Sequence, residues 1–248
     1  MRFFIIFLSI LLSQLSIDAQ ALPVTSSKIS YVYATYSLQK PDGDINKRFG
    51  ISSDIGGGVG HKTKGNIMFG IEATYMFGNT IKENTLENIT NSYNQITNMY
   101  GEVSDIVLRE SGVQIKGSLG KIIPVLKDNK NSGIFIKGSI GFLQHKIYIE
   151  SKGNNTPQVM GDYRKGYDRL CSGAMVSEFL GWQNFSNKGA YNFLVGFEFI
   201  QAKTKNRRTW DYATNKKINN NRLDLLYTFK VAWYIAFNKQ QATEYFYY

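Results

Sequence analysis

Cysteine is nearly missing from this chain: Cys171 is the only one in 248 residues. An internal disulfide is therefore excluded. Histidine is almost as scarce, with His61 and His145 far apart in sequence. No Cys/His ligand cluster exists, so neither a metal nor a cofactor is expected. Past the N-terminal segment no apolar run reaches the ~18 residues that a membrane-crossing helix needs. Proline occurs only 4 times against 23 glycines. Acidic side chains are in deficit, 19 against 29 Lys and Arg, for a formal net charge of +10.

The N-terminus has the layout of an export signal. Arg2 supplies a positive start, Phe3 to Leu12 is almost wholly apolar, and Ala19-Gln20-Ala21 is a small-x-small cleavage pattern. The apolar stretch, about ten residues, is too short to span a bilayer. Residues 1–21 are read as a signal peptide, and no cysteine follows it to carry a lipid. An exported protein of this charge has no expected nucleic-acid partner. Phosphorylated lipid head groups or an acidic protein suit it better.

What the chain has in quantity is period-2 alternation. From Leu223 to Phe237 every second residue is large and apolar: Leu223, Leu225, Tyr227, Phe229, Val231, Trp233, Ile235 and Phe237. Asp224, Thr228 and Lys230 lie between them. A strand with lipid on one side and a polar lumen on the other must keep this pattern. Similar alternation and turn residues mark eight strands in all, near 29–38, 49–61, 66–78, 106–123, 133–150, 171–185, 191–204 and 223–238. The connections alternate in length. Residues 62–65, 126–132 and 186–190 are short and turn-like, whereas 39–48, 79–105, 151–170 and 205–222 are longer. Outer-membrane barrels have short periplasmic turns and long external loops. The expected fold is all-β, an eight-stranded antiparallel up-and-down transmembrane β-barrel over residues 22–239. Both termini would be periplasmic. Within the longest loop, Leu86–Met99 is read as a short helix, and Asn88 of Asn-Ile-Thr as a solvated loop residue.

Parity places seven charged residues in the lumen near mid-strand: Asp54, Glu72, Glu178 and Glu198 with Lys116, Lys137 and Lys230. An eight-stranded barrel has room inside only for side chains. These charges are expected to pair and plug it, with a proton or ion path and acid/base catalysis as the alternatives. Ser-His-Asp chemistry would need a serine beside a histidine. His145 with Ser172 or Ser177 is the one combination within reach, and His145 is read instead as a surface or girdle residue. Gly56-Gly57-Gly58-Val59-Gly60 lacks dinucleotide spacing and no helix follows it. The glycines of the similar segments Ile115–Gly120 and Ile136–Gly141 are read as relieving crowding where the barrel curves and permitting close backbone approach.

Two surface features remain. The last external loop is basic, with Lys203, Lys205, Arg207, Arg208, Lys216, Lys217 and Arg222 around Trp210 and Tyr212, opposed only by Asp211. Guanidinium groups bind phosphate in a fork, so lipopolysaccharide phosphates are a candidate ligand. An ordinary solvated loop is the alternative. Residues 240–248 form a tail ending in Tyr245, Phe246, Tyr247 and Tyr248. It would serve as a periplasmic aromatic girdle or dock a partner.

The signal segment, the eight strands, Gly196–Arg208 (Gly-Phe-Glu-Phe-Ile-Gln-Ala-Lys-Thr-Lys-Asn-Arg-Arg), Arg222–Tyr227 (Arg-Leu-Asp-Leu-Leu-Tyr) and the Tyr-rich end resemble the small outer-membrane barrel proteins of Bacteroidetes. That group includes accessory barrels of the type IX secretion and gliding machinery. The resemblance implies a non-enzymatic integral barrel of the outer membrane. Such a barrel anchors or assists an assembly with an outer-membrane or periplasmic protein, and has no catalytic residues to carry over. A narrow pore and a lipid-modifying enzyme are the alternatives.

Overall fold

The structure is a computed structural model that describes residues 26–127, 129–153, 155–186, 192–217 and 220–237. The signal segment and the aromatic tail lie outside these residues.

Eight strands form one closed barrel in chain order: β1 (Ile29–Gly43), β2 (Ser52–Lys62), β3 (Ile67–Gly78), β4 (Ile106–Pro124), β5 (Gly133–Ser151), β6 (Cys171–Asn184), β7 (Phe193–Asn206) and β8 (Asn221–Phe237). Every neighbouring pair is antiparallel. Closure is made by β1 on β8, from Ser30↔Phe237 to Gly43↔Asp224. No edge strand is left to recruit another chain.

The alternation in sequence becomes an inside and an outside. On β3, Ile67, Phe69, Ile71, Tyr75 and Phe77 face out and are exposed, while Met68, Glu72, Thr74 and Met76 are buried inside. On β8 the exposed set is Leu223, Tyr227, Phe229, Val231, Trp233, Ile235 and Phe237, against buried Asp224, Leu226, Thr228, Lys230, Ala232 and Tyr234. The large apolar side chains thus cover the outer wall.

Three expectations need correction. β1 runs on through Pro41 to Gly43 rather than ending near residue 38. Beyond Gln39 its only sheet partner is β8, so a proline lacking an N–H is tolerated on the open side. The helix expected over Leu86–Met99 is only a 3₁₀ turn at Glu87–Ile89. Asn91 Oδ1 accepts the N–H groups of Tyr93 and Gln95, and Asn98 Oδ1 those of Tyr100 and Glu102. Such side-chain turns compete with helix for the same backbone donors.

The third correction is one of parity. On β6 the inward residues are Cys171, Met175, Ser177, Phe179 and Gln183, and Glu178 faces outward. β6 has large apolar side chains on both faces, Met175 and Phe179 inside and Leu180 and Trp182 outside. Hydrophobicity alone therefore did not fix its phase.

Candidate functional site

The lumen is filled in layers. At the turn end, Tyr31, Phe135, Phe179, Phe185, Leu194 and Tyr234 form an apolar cluster with Tyr33 packed against it. Tyr33 stacks on Tyr234 with ring centroids 4.7 Å apart. The glycines of β2 make the space. A Cβ on Gly58 would stand 2.6 Å from the Tyr33 hydroxyl, and one on Gly60 2.4 Å from that of Tyr31. The glycine run is thus a seat for tyrosines. Below this layer Lys62 Nζ donates to Ser26 Oγ (2.7 Å), Ser27 O (3.1 Å) and Asn131 Oδ1 (2.8 Å).

The charged layer comes next. Four predicted residues form a ring of alternating sign. Lys116 Nζ is 3.1 Å from Glu72 Oε1 and 2.7 Å from Glu198 Oε1, while Lys230 Nζ is 2.6 Å from Glu72 Oε1 and 2.7 Å from Glu198 Oε2. The Tyr33 hydroxyl donates to Glu72 Oε2 (2.8 Å) and Ser177 Oγ to Glu198 Oε1 (2.8 Å). Lys137 stands farther off, 3.9 Å from Glu72 Oε2, with its ammonium 5.2 Å from the centroid of the Phe179 ring. Asp54 is buried but outside the ring. It accepts from Gln39 Nε2 at 2.6 Å, and among the described residues no cation lies within ion-pair distance of it. With Glu178 outside and Asp54 apart, the ring itself sets two lysines against two carboxylates and is formally neutral, with Lys137 at its edge. That balance suits a dry, crowded interior, where uncompensated charge is costly.

Toward the loop end a second polar pair appears. His145 Nε2 lies 2.9 Å from Asp224 Oδ2, which also accepts from Thr204 Oγ1 at 2.5 Å. His145 is fully buried, against the surface or girdle position expected of it. Its parity on β5 points it into the lumen, where Phe49 meets its ring edge-on at 5.5 Å. Neither candidate serine serves it. Ser177 is committed to Glu198, and Ser172 Oγ accepts from Arg207 Nε at 2.7 Å. Cys171, also buried, lies 3.0 Å from Arg48 Nη1.

The mouth is covered by the long loops. Ile45, Phe49, Leu86, Ile96, Val159 and Tyr167 from three loops share one apolar cluster with Leu143, Ile147, Met175, Ile200 and Leu226 of the barrel. A chain of ion pairs ties all four loops together. Arg48 Nε reaches Glu83 Oε2 at 2.8 Å, Arg169 Nε reaches Glu83 Oε1 at 2.8 Å, and Arg169 also binds Asp211. Arg208 holds Asp168 through two nitrogens, at 2.8 and 2.5 Å. Burial alone would raise the Asp211 carboxyl, but hydrogen bonds from Arg169 and Thr214 hold it below the usual carboxylate range. Asn88 Nδ2 donates to Tyr212 O at 2.8 Å, so Asn88 is a contact between loops.

The basic loop therefore divides. Arg208 and Arg207 are spent within the protein, as is Arg222, whose Nη2 donates to Asp44 O at 2.7 Å. Lys203 and Lys205 on the end of β7, and Lys216 and Lys217 in the loop after it, remain exposed, as do Trp210 and Tyr212. Asp211, read as the counter-charge of this loop, serves Arg169 of another. The cap chain and the His145–Asp224 pair were not foreseen. Asp224 stood on the polar face of the last strand and was legible there. Arg48, Glu83 and Arg169 lie in loops without periodicity and gave no signal.

No family model and no curated protein sequence matches the chain. Among solved structures it is similar to Ail, the attachment invasion locus protein of Yersinia pestis. That match has 8% identity and a TM-score of 0.45, over 84% of this chain and 99% of the other. Neisserial surface protein A matches at 8% identity and a TM-score of 0.44, over 84% and 97%. The outer membrane protein OprG from Pseudomonas aeruginosa matches at 6% identity and a TM-score of 0.36, over 87% and 98%.

Proposed function

We propose that this chain is an integral barrel of a bacterial outer membrane, closed to solutes, that acts as an anchor or accessory subunit of an outer-membrane assembly. The observation that carries this reading is a wall and a lumen of opposite character. Outside, Ile55, Ile71, Leu119, Ile140, Leu180, Phe197 and Trp233 stand more than half exposed in one apolar surface. A contiguous apolar surface of that extent is not kept in water. Inside, a neutral ion-paired layer lies between two apolar layers, and the loops cover the mouth. Such a lumen offers no continuous water path, so the working surfaces are the wall, the cap and the termini.

The long loops would face the exterior and the termini the periplasm. The exposed lysines cluster on the loop end of β7 and in the loop that follows it, where they could meet lipopolysaccharide phosphates. The aromatic tail, residues 240–248, is the candidate contact for a periplasmic partner. The resemblance to accessory barrels of Bacteroidetes is what favours a secretion or gliding assembly.

Two measurements test the reading. Purified protein in planar bilayers should give no stable conductance steps, and large stable steps would refute the closed lumen. Affinity purification from gently solubilised outer membranes should recover a defined partner, and recovery should fall when residues 242–248 are deleted. A deletion that leaves the partner in place removes the docking role of the tail.

A further inference from the structure

Among the described residues, Glu178 is the one carboxylate placed midway up the apolar wall. Its register row is Gly138↔Glu178↔Phe199, adjacent to the row Lys137↔Phe179↔Glu198 of the charged layer. It therefore lies outside the barrel at the depth of the lumen's ion pairs. Gln201 Nε2 lies 3.2 and 3.4 Å from its two oxygens, and among the described residues no cation comes within ion-pair distance. Other outward hydroxyls are paired in place, Tyr36 with Ser53 (3.0 Å) and Tyr75 with Ser111 (3.1 Å). A carboxylate can accept about four hydrogen bonds, so one amide leaves it short. Lipid tails supply no donors at that depth, and ionisable groups there are costly without a protein partner.

The surface beside Glu178 has a matching shape. Among the strand glycines only Gly117 and Gly138 would carry a Cβ into open space; both face outward on adjacent strands. They relieve no crowding, unlike Gly120 and Gly141 of the same two segments, where a Cβ would stand 2.6 Å from Ile136 O and 2.1 Å from Ile115 O. They leave a hollow in the wall. Ile140, register partner of Gly117 and two residues from Gly138, projects beside it at 71% exposure. Knob, hollow, donor and acceptor thus share one face. A face that carries both halves of each contact is self-complementary, as a two-fold interface requires.

We propose that this face pairs with the same face of a second copy, giving a two-fold dimer within the membrane. Ile140 of each copy fills the hollow at Gly138 of the other, and the Gln201 amide of each donates to the opposite Glu178. The proposal rests on the wall being lipid-facing. The full chain should be purified in mild detergent and in lipid nanodiscs and its mass measured, with a mass of two copies expected. Cys171 is buried, so I140C introduces an outward thiol of its own and should cross-link to its copy through a short bifunctional maleimide, which spans the offset between the two positions. V59C, on β2, should not. G138L should give a single-copy mass while keeping a heat-dependent gel shift, because its side chain enters open space within the subunit; E178L should do the same. A single-copy mass for the native chain, capture of a different protein by I140C, or cross-linking by I140C no stronger than by V59C would each overturn the dimer. Extraction without detergent would overturn the lipid-facing reading itself, a result seen before any mass is measured.

Discussion

At Lys230 one ammonium serves two carboxylates, at 2.6 and 2.7 Å, and all three side chains are buried. Removing one member of a buried ion pair typically costs about 3–5 kcal/mol, because the remaining charge stays buried and unmatched. Lys230→Met should therefore lower the stability of the folded barrel by about that amount, read from the urea midpoint in lipid vesicles. The double variant K230M/E198Q should recover part of the loss; equal losses in the two proteins would mean that the charges are hydrated. The residues of this ring were legible because strand parity alone brings Glu72, Lys116, Glu198 and Lys230 inward. Glu178 was not legible. Its strand carries large apolar side chains on both faces, so parity has two possible phases there and the wrong one turns Glu178 inward.

Elements tell a similar story with a different boundary. The strands were readable to within a few residues, since each must keep one greasy face over its whole length. The loop conformations were not, because Asx turns and ion pairs between loops leave no period in the sequence. The cap makes its own prediction. Asp211 is held below the usual carboxylate range, so its contribution is fully present above that range. It is lost as pH falls through the depressed folded value. Limited proteolysis of the long loops should be slow at neutral pH and speed up only below the usual carboxylate range. Arg169→Ala should make the same loops cleavable at neutral pH while leaving the strands protected. Unchanged cleavage in that variant would show that the apolar cluster around Phe49 and Tyr167 holds the cap by itself. On β2, Gly58→Leu should displace Tyr33 from its seat and weaken the barrel, measurable as a lower unfolding midpoint.

For the whole molecule, closure is the property that matters. With every strand paired on both sides, folded protein should resist denaturing detergent at room temperature and run differently from boiled protein on a gel. Identical migration would contradict a closed barrel. The tilt toward an all-β closed sheet was plain from the alternating connection lengths. The purpose of the outer wall was not, because one polar residue among many apolar ones gains meaning only when its depth and neighbours are known.

The pairing of β1 with β8 also governs the order of events in time. Ser30 meets Phe237, so the barrel is completed by a contact between residues at opposite ends of the folded region. Contacts of such sequence separation form late and slowly. Until β8 has docked, β1 exposes a full row of unsatisfied backbone groups and the growing sheet has two open edges. Joining them is a single event that removes both edges at once. Opening the finished ring would break an entire seam of backbone hydrogen bonds at once. The seam therefore acts as a latch: the chain is vulnerable for as long as it stays open, and long-lived once it shuts.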